Sequence, residues 1–373
     1  MRRYRKLMVL FLCLFLLNGC WDAREIEQRT SVIALAVDKH PKGFEVSVQV
    51  PIPTKVVGSG GEGGGGGPEA VQVFTATGKT LTDALDSIQY ETNQRVFLGN
   101  SRLLLIGEDQ ARSGVGEMLD AFRRNPQVRR RQWPVVVKGK AKEALYADLK
   151  LEQIPVDYIV SMLENGMREG RFPRKGMNDF YVDLANPGKQ PVLNYMEVKG
   201  KEVRWLGTAL FRKDQMVGIL DRRETRPLLQ IGMREEGETL DVPCVEKPGY
   251  VVFTPKGIKR SVRIKNRNGK PEIDVYITVR GEVIEKTCGF DLSKEQSLRR
   301  MTTQIRRTSE KRARFVMKKV QKDIKTDAFQ LGNIVRAYRP KLWRTAEWDR
   351  TFPDIPIRVS YKIKILRTGV EYD

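Results

Sequence analysis

Residues 204–220 read RWLGTALFRKDQMVGIL, and residues 293–326 read SKEQSLRRMTTQIRRTSEKRARFVMKKVQKDIKT. In the first stretch, apolar arms at Gly207–Phe211 and Met216–Leu220 flank the polar turn Lys213–Gln215, a pattern that predicts a β-hairpin. In the second, Leu298, Met301, Ile305, Ser309, Ala313, Val316, Val320 and Ile324 recur every three or four residues. That spacing predicts one long helix with a single buried seam, and Ser293 with Gln296 makes a capping box at its start. Hairpins followed by one covering helix indicate an α+β fold with mixed and antiparallel sheets, rather than repeated βαβ units.

Around these stretches the same spacing rules predict further strands at Tyr250–Thr254, Ser261–Lys265 and Glu272–Glu285, with Asn268-Gly269 as a tight turn between the last two. A shorter helix over Leu331–Trp343 follows. Ile355–Leu366 alternates as a closing strand, with Val359, Tyr361, Ile363 and Ile365 on one side, so it joins the sheet that the long helix covers. Upstream, Ser31–Val50 reads as a hairpin and Val71–Thr75 as a strand. Thr80 caps a helix carrying Leu81, Ala84, Leu85 and Ile88. Ser101–Ile106 and Trp133–Val137 are strands, and Ala111–Arg124 and Pro155–Met167 are helices. Gly58–Gly67 holds eight glycines in ten residues, which cannot pack a core and reads as a surface loop. These elements divide the chain into an N-terminal α+β domain, 20–198, and a C-terminal one, 199–373, the latter with room for two subdomains.

The first nineteen residues belong to neither. A basic head of Arg2, Arg3, Arg5 and Lys6 precedes eleven apolar residues, Leu7–Leu17. At about 1.5 Å per helical residue this run spans roughly 17 Å, too short for a ~30 Å hydrocarbon core, so it reads as a signal peptide. Leu17-Asn18-Gly19-Cys20 then resembles a bacterial lipobox, although Asn18 is larger than the usual residue. Lipidation at Cys20 would tether the mature chain to an outer leaflet without spanning it.

The 373 residues carry 67 Lys+Arg against 46 Asp+Glu, a net charge of +21, and loss of the leader's four cations leaves +17. For an exported, tethered protein the expected counter-charge is an anionic membrane surface rather than nucleic acid. The long helix concentrates it: twelve Lys/Arg stand against three acids over 293–326. Arg299, Arg300, Arg306, Arg307, Lys318 and Lys319 are therefore candidate membrane or partner contacts. Trp343 and Trp348 join them, because tryptophan and arginine are enriched where binding energy concentrates.

Catalytic readings find little footing. His40 is the only histidine, so neither a zinc cluster nor a Ser-His-Asp arrangement can be assembled. Gly58, Gly60 and Gly63 satisfy a dinucleotide fingerprint only because the whole segment is glycine, and Gly78-Lys79-Thr80 lacks the upstream glycine of a phosphate loop. No metal and no cofactor is expected beyond covalent lipid on Cys20. Cys244 and Cys288 match no metal motif, and either a disulfide or two buried thiols would explain them.

Several segments resemble a known family, the C-subunit lipoproteins of nutrient-germinant receptors in endospore-forming bacteria, of the GerAC type. Gly19-Cys20-Trp21-Asp22 with Arg24-Glu25-Ile26-Glu27 resembles its post-lipobox segment, and Ala34-Leu35-Ala36-Val37-Asp38 its first strand. Gly207-Thr208-Ala209-Leu210-Phe211, Gly218-Ile219-Leu220 and Glu224-Thr225-Arg226 are similar to its central hairpin. Tyr338-Arg339-Pro340-Lys341-Leu342-Trp343, Trp348-Asp349, Phe352-Pro353-Asp354 and Arg367-Thr368-Gly369 are similar to its C-terminal signature. The resemblance implies a non-enzymatic subunit on the outer face of the inner spore membrane. It would work with a permease-like protein and a second multi-spanning protein to trigger germination. A solute-binding lipoprotein of an importer would share the leader and Cys20, but should show two lobes of βαβ units.

Overall fold

The computed structural model describes Tyr4 and residues 29–56, 70–149, 151–152, 154–244, 248–288 and 294–367. The leader, Cys20, the glycine run 58–67 and Ser293 lie outside the described residues. The fold is mixed α+β, as expected, with sheets of eight, four and two strands.

The eight-stranded sheet grows outward from β2 (Ala34–His40). On one side β3 (Gly43–Pro51) and β4 (Val71–Gly78) pair antiparallel. On the other, β6 (Leu103–Gly107), β7 (Trp133–Val137) and β8 (Val192–Lys199) add in parallel, and β9 (Glu202–Arg212) and β10 (Gln215–Asp221) close the edge as an antiparallel hairpin. The central strands LLLIG and WPVVV are nearly continuous apolar runs because both of their faces are covered. One face packs under helices α1 (Leu81–Gln89), α2 (Glu108–Ser113), α3 (Gly116–Arg124) and α5 (Met177–Ala185). The other packs against α4 (Pro155–Arg168) and the 3-10 turns at Ala141–Tyr146. Thr80 caps α1 as expected, its Oγ1 accepting from the Asp83 N–H at 3.1 Å. Beside this sheet, β1 (Arg29–Ser31) and β5 (Arg95–Phe97) form a two-stranded parallel pair.

The second sheet has the order β11 (Leu240–Pro243), β12 (Tyr250–Arg267), β13 (Lys270–Lys286), β14 (Ile357–Arg367). Its face is covered by α7 (Glu295–Lys318), and Met301, Ile305, Ala313, Val316 and Val320 pack with Val275, Ile277, Val359 and Ile363 in one core.

Four expectations need correction. The 204–220 hairpin forms, but β9 pairs with β8, so the hairpin extends the eight-stranded sheet instead of starting a separate antiparallel one. Strands expected separately at 250–254 and 261–265 are one 18-residue strand; Pro255 and Gly257, which read as an interruption, sit at a bulge the ladder absorbs. The closing strand joins the second sheet beside β13 and runs parallel to it, because the connection between them crosses over through the helical layer. The helix expected over 111–124 breaks at Gly114, whose φ of 119° lies outside helical space. The helix expected over 331–343 breaks into α8 (Leu331–Tyr338) and α9 (Pro340–Thr345), since Pro340 supplies no N–H and pushes Arg339 out of the helical region. A short α10 (Trp348–Thr351) follows. The long helix itself starts at Glu295, with Lys294 in the cap position making no side-chain cap bond.

Candidate interaction surface

A helix advances about 100° per residue, which sorts the basic residues of α7 into three groups. Arg299 and Arg306 flank the buried seam and are tied within the helix, to Glu295 at 2.6 Å and to Glu310 at 3.5 Å. Glu310 also accepts the Tyr361 backbone N–H at 3.1 Å, pinning the helix to the open edge of β14. Lys319 lies on the seam side and reaches Glu224 at 2.6 Å, so its charge is used inside the fold rather than offered to a partner. Arg300, Arg307, Lys311, Arg314 and Lys318 fall within about 60° of one another, diametrically opposite the seam. Among the described residues Arg307, Lys311, Arg314 and Lys318 make no ion pair, and Phe315 beside them is 62% exposed. Lys311 and Arg314 were missed as contacts on sequence grounds; an angular projection, instead of a count along the chain, picks them out.

The aromatic cluster has a different role from the one expected. Trp348 is buried, and its Nε1 donates to Asp327 Oδ2 at 3.0 Å. Its ring lies 5.7 Å from Trp343 and 6.0 Å from Phe352. It is a core residue and not a surface contact; only the half-buried Trp343 retains exposure. Asp327 also accepts from the Gly332 N–H at 2.6 Å and the Leu331 N–H at 3.2 Å. Burial outweighs these three donors and pushes its carboxyl up to about 6.

Some of the segments that carry the family resemblance, 207–211, 218–220, 224–226, 348–349 and 352–354, meet where the end of the first sheet joins the helices over the second. Thr208 and Thr225 hydroxyls lie 3.0 Å apart, and Glu224 accepts the Asp221 N–H at 2.9 Å to cap α6 (Arg222–Leu228). Arg226 is buried, which lowers its guanidinium to about 10. Asp349 accepts from Gln190 at 2.9 Å, and Thr326 donates to the Phe211 carbonyl at 2.9 Å. Asn186 donates to Asn333 at 3.1 Å, and Gln330 to Asp183, itself buried between Lys175 and Lys189. Lys322 pairs with Asp354 at 2.7 Å. Together with residues outside those segments, these contacts tie the first sheet to the helices over the second. At the far end of the second sheet, Cys244 and Cys288 form a disulfide.

Nothing in this arrangement assembles a nucleophile with a base. Among the described residues there is no cluster of His, Cys, Asp and Glu able to hold a metal, and no helix long and apolar enough to cross a membrane. What the geometry offers is a surface: a flat, cationic helix face on a rigid two-sheet body.

Residues 22–198 match the family described as "Spore germination protein N-terminal domain", and residues 206–369 match "Spore germination B3/GerAC like, C-terminal". The putative spore germination protein YfkR of Bacillus subtilis is 27% identical, over 99% of this chain and 97% of its own length. Spore germination protein B3 of the same organism is 24% identical over 99% of both chains. GerQC of Bacillus cereus is 22% identical, over 98% of this chain and 99% of its own. The crystal structure of the GerBC protein superposes with a TM-score of 0.56 at 17% identity, covering 89% of this chain and 96% of that one.

Proposed function

We propose a function that proceeds from one fact: the chain belongs to the B3/GerAC-like family of spore germination proteins. It acts as the lipid-anchored C subunit of a nutrient-germinant receptor, held by diacylated Cys20 at the outer face of the inner spore membrane. There it assembles with a permease-like subunit and a second multi-spanning subunit, and its part is assembly and coupling, not catalysis. The observation that carries this reading is that family similarity runs end to end, through both halves of the chain, with relatives of matching length. Two further features support it. The Cys244–Cys288 disulfide suits an exported chain. The body is a rigid scaffold with a cationic face rather than a two-lobed binding cleft, which separates it from an importer's solute-binding lipoprotein.

Co-purification tests the reading. A C-terminal tag is used to recover the protein from spore inner membranes in mild detergent, from wild type and from Cys20→Ala. Two polytopic proteins should accompany the wild type and be depleted with Cys20→Ala. Recovery of the membrane-bound protein by itself would overturn the receptor reading and favour a free-standing, ligand-binding lipoprotein.

A further inference from the structure

We infer that the outward face of α7 is a docking surface for anionic lipid headgroups, formed by Arg307, Lys311, Arg314 and Lys318 with Phe315 at its edge. The inference rests on the proposed lipid anchor only for bringing this face close to a bilayer.

The charge pattern is selective. Arg299, Arg306, Lys319 and Lys322 are each neutralised by a carboxylate within the fold. Arg307, Lys311, Arg314 and Lys318, four of the five cations on the outward arc, have no ion-pair partner among the described residues, and no acidic residue of α7 shares their arc. They instead repel one another: Arg307 and Lys311, and Arg314 and Lys318, stand four residues apart, and Lys311 and Arg314 three apart. Each such like-charge pair weakens a helix, a cost that an external polyanion would reverse. The repeat of four, three and four residues keeps all four on one straight line about 17 Å long, which fits a planar surface.

Phe315 favours a bilayer over an acidic protein patch. An aromatic ring 62% exposed among cations is what an interfacial helix presents at headgroup depth. The second sheet also carries exposed cations on its uncovered face, Lys259, Arg280, Lys362 and Lys364, but Glu282 stands among them. Because α7 covers the other face of that sheet, the two cationic surfaces point in opposite directions, and one flat membrane can meet only one of them.

The test uses the chain from Trp21 onward, which keeps every described strand and labelled helix and carries no lipid. It is sedimented with vesicles of phosphatidylglycerol and phosphatidylcholine in equal parts, and with phosphatidylcholine by itself. Wild type should bind the mixed vesicles, lose binding as salt rises, and ignore the neutral ones. Replacing Arg307, Lys311, Arg314 and Lys318 together by Gln should weaken partition on the order of a thousandfold. The same four-charge loss at Lys259, Arg280, Lys362 and Lys364 should leave it nearly intact, and Phe315→Ala should weaken it severalfold. Thermal melts of each variant confirm folding, which exposed and unpaired side chains should not disturb. Equal losses from the two quadruple variants would mean diffuse net charge and overturn the assignment to α7. So would undiminished vesicle binding by the α7 variant. If that variant kept vesicle binding but lost the polytopic subunits in the co-purification, the face would belong to a protein partner. Vesicle partition and Cys20-dependent co-purification fail independently, so the inference and the receptor reading are judged separately.

Discussion

Asp327 gives the sharpest quantitative test of the fold, because its carboxyl is buried at the corner where α8 and α10 meet. Burial raises its pKa from 3.8 to about 6 despite three hydrogen-bond donors. An acid whose pKa is higher in the folded chain binds its proton more tightly there than in the unfolded chain. Its contribution to stability is therefore gained as pH falls through about 6, is complete below the unfolded value of 3.8, and is absent well above 6. The span is 6 − 3.8 = 2.2 units, and at about 1.36 kcal/mol per unit this amounts to about 3 kcal/mol. The perturbation is Asp327→Asn, which cannot titrate and keeps the side-chain volume. Urea unfolding of both proteins, followed by tryptophan fluorescence, is measured at steps between about pH 7 and about pH 4. Other carboxylates titrate in both chains and cancel in the difference. The stability of wild type relative to the variant should rise by about 2.4 kcal/mol as pH falls across that range, the rest of the span lying below about pH 4. A difference that stays flat, or that shrinks toward acid, would refute the reasoning, since it would mean that the hydrogen bonds outweigh burial.

Two further outcomes follow from the packing. The Cys244–Cys288 bridge spans a sequence separation of 44, and the loop-closure relation puts its contribution at about 4 kcal/mol. Dithiothreitol should lower the urea midpoint of wild type and leave that of Cys288→Ser unmoved, and a wild-type midpoint insensitive to reductant would sink the prediction. At Gly332 an added Cβ would sit 2.5 Å from Trp348 Nε1, closer than two such atoms can approach. Gly332→Ala should therefore cost about 1–3 kcal/mol and alter the Trp348 emission, since overpacking displaces the indole from Asp327; unchanged stability and emission would show that the corner relaxes freely.

The elements were largely legible in the sequence where a short-range rule governs them. The seam from Met301 to Val320 is set by helical spacing, and the residues it names are the ones that meet the sheet. The Thr80 cap and the Asn268-Gly269 turn are equally local, each decided by atoms within three or four residues. Misreadings arose where a local cue was ambiguous. Pro255 looks like a strand breaker until a partner strand accommodates it as a bulge. Strand β8 and helix α5 were not anticipated, because the Pro187–Pro191 stretch between them resembles a linker. Cys20 and the lipobox lie outside the described residues, and the anchor remains part of the proposal.

By itself, then, the sequence determined the local periodicities: where most of the strands form, where the long helix runs, and which side of it is apolar. It also determined that the helix carries more charge than the fold needs. Only the tertiary structure decided which sheet receives the 204–220 hairpin, since that depends on β8 presenting a free edge. It likewise decided that Trp348 faces Asp327 rather than solvent, that Lys319 answers Glu224, and that Cys244 meets Cys288. Spacing along a chain specifies a residue's direction relative to its own helix or strand. Whether a charge or a ring is neutralised, buried or left facing outward depends on groups far away in sequence, which come within reach only after the layers have packed.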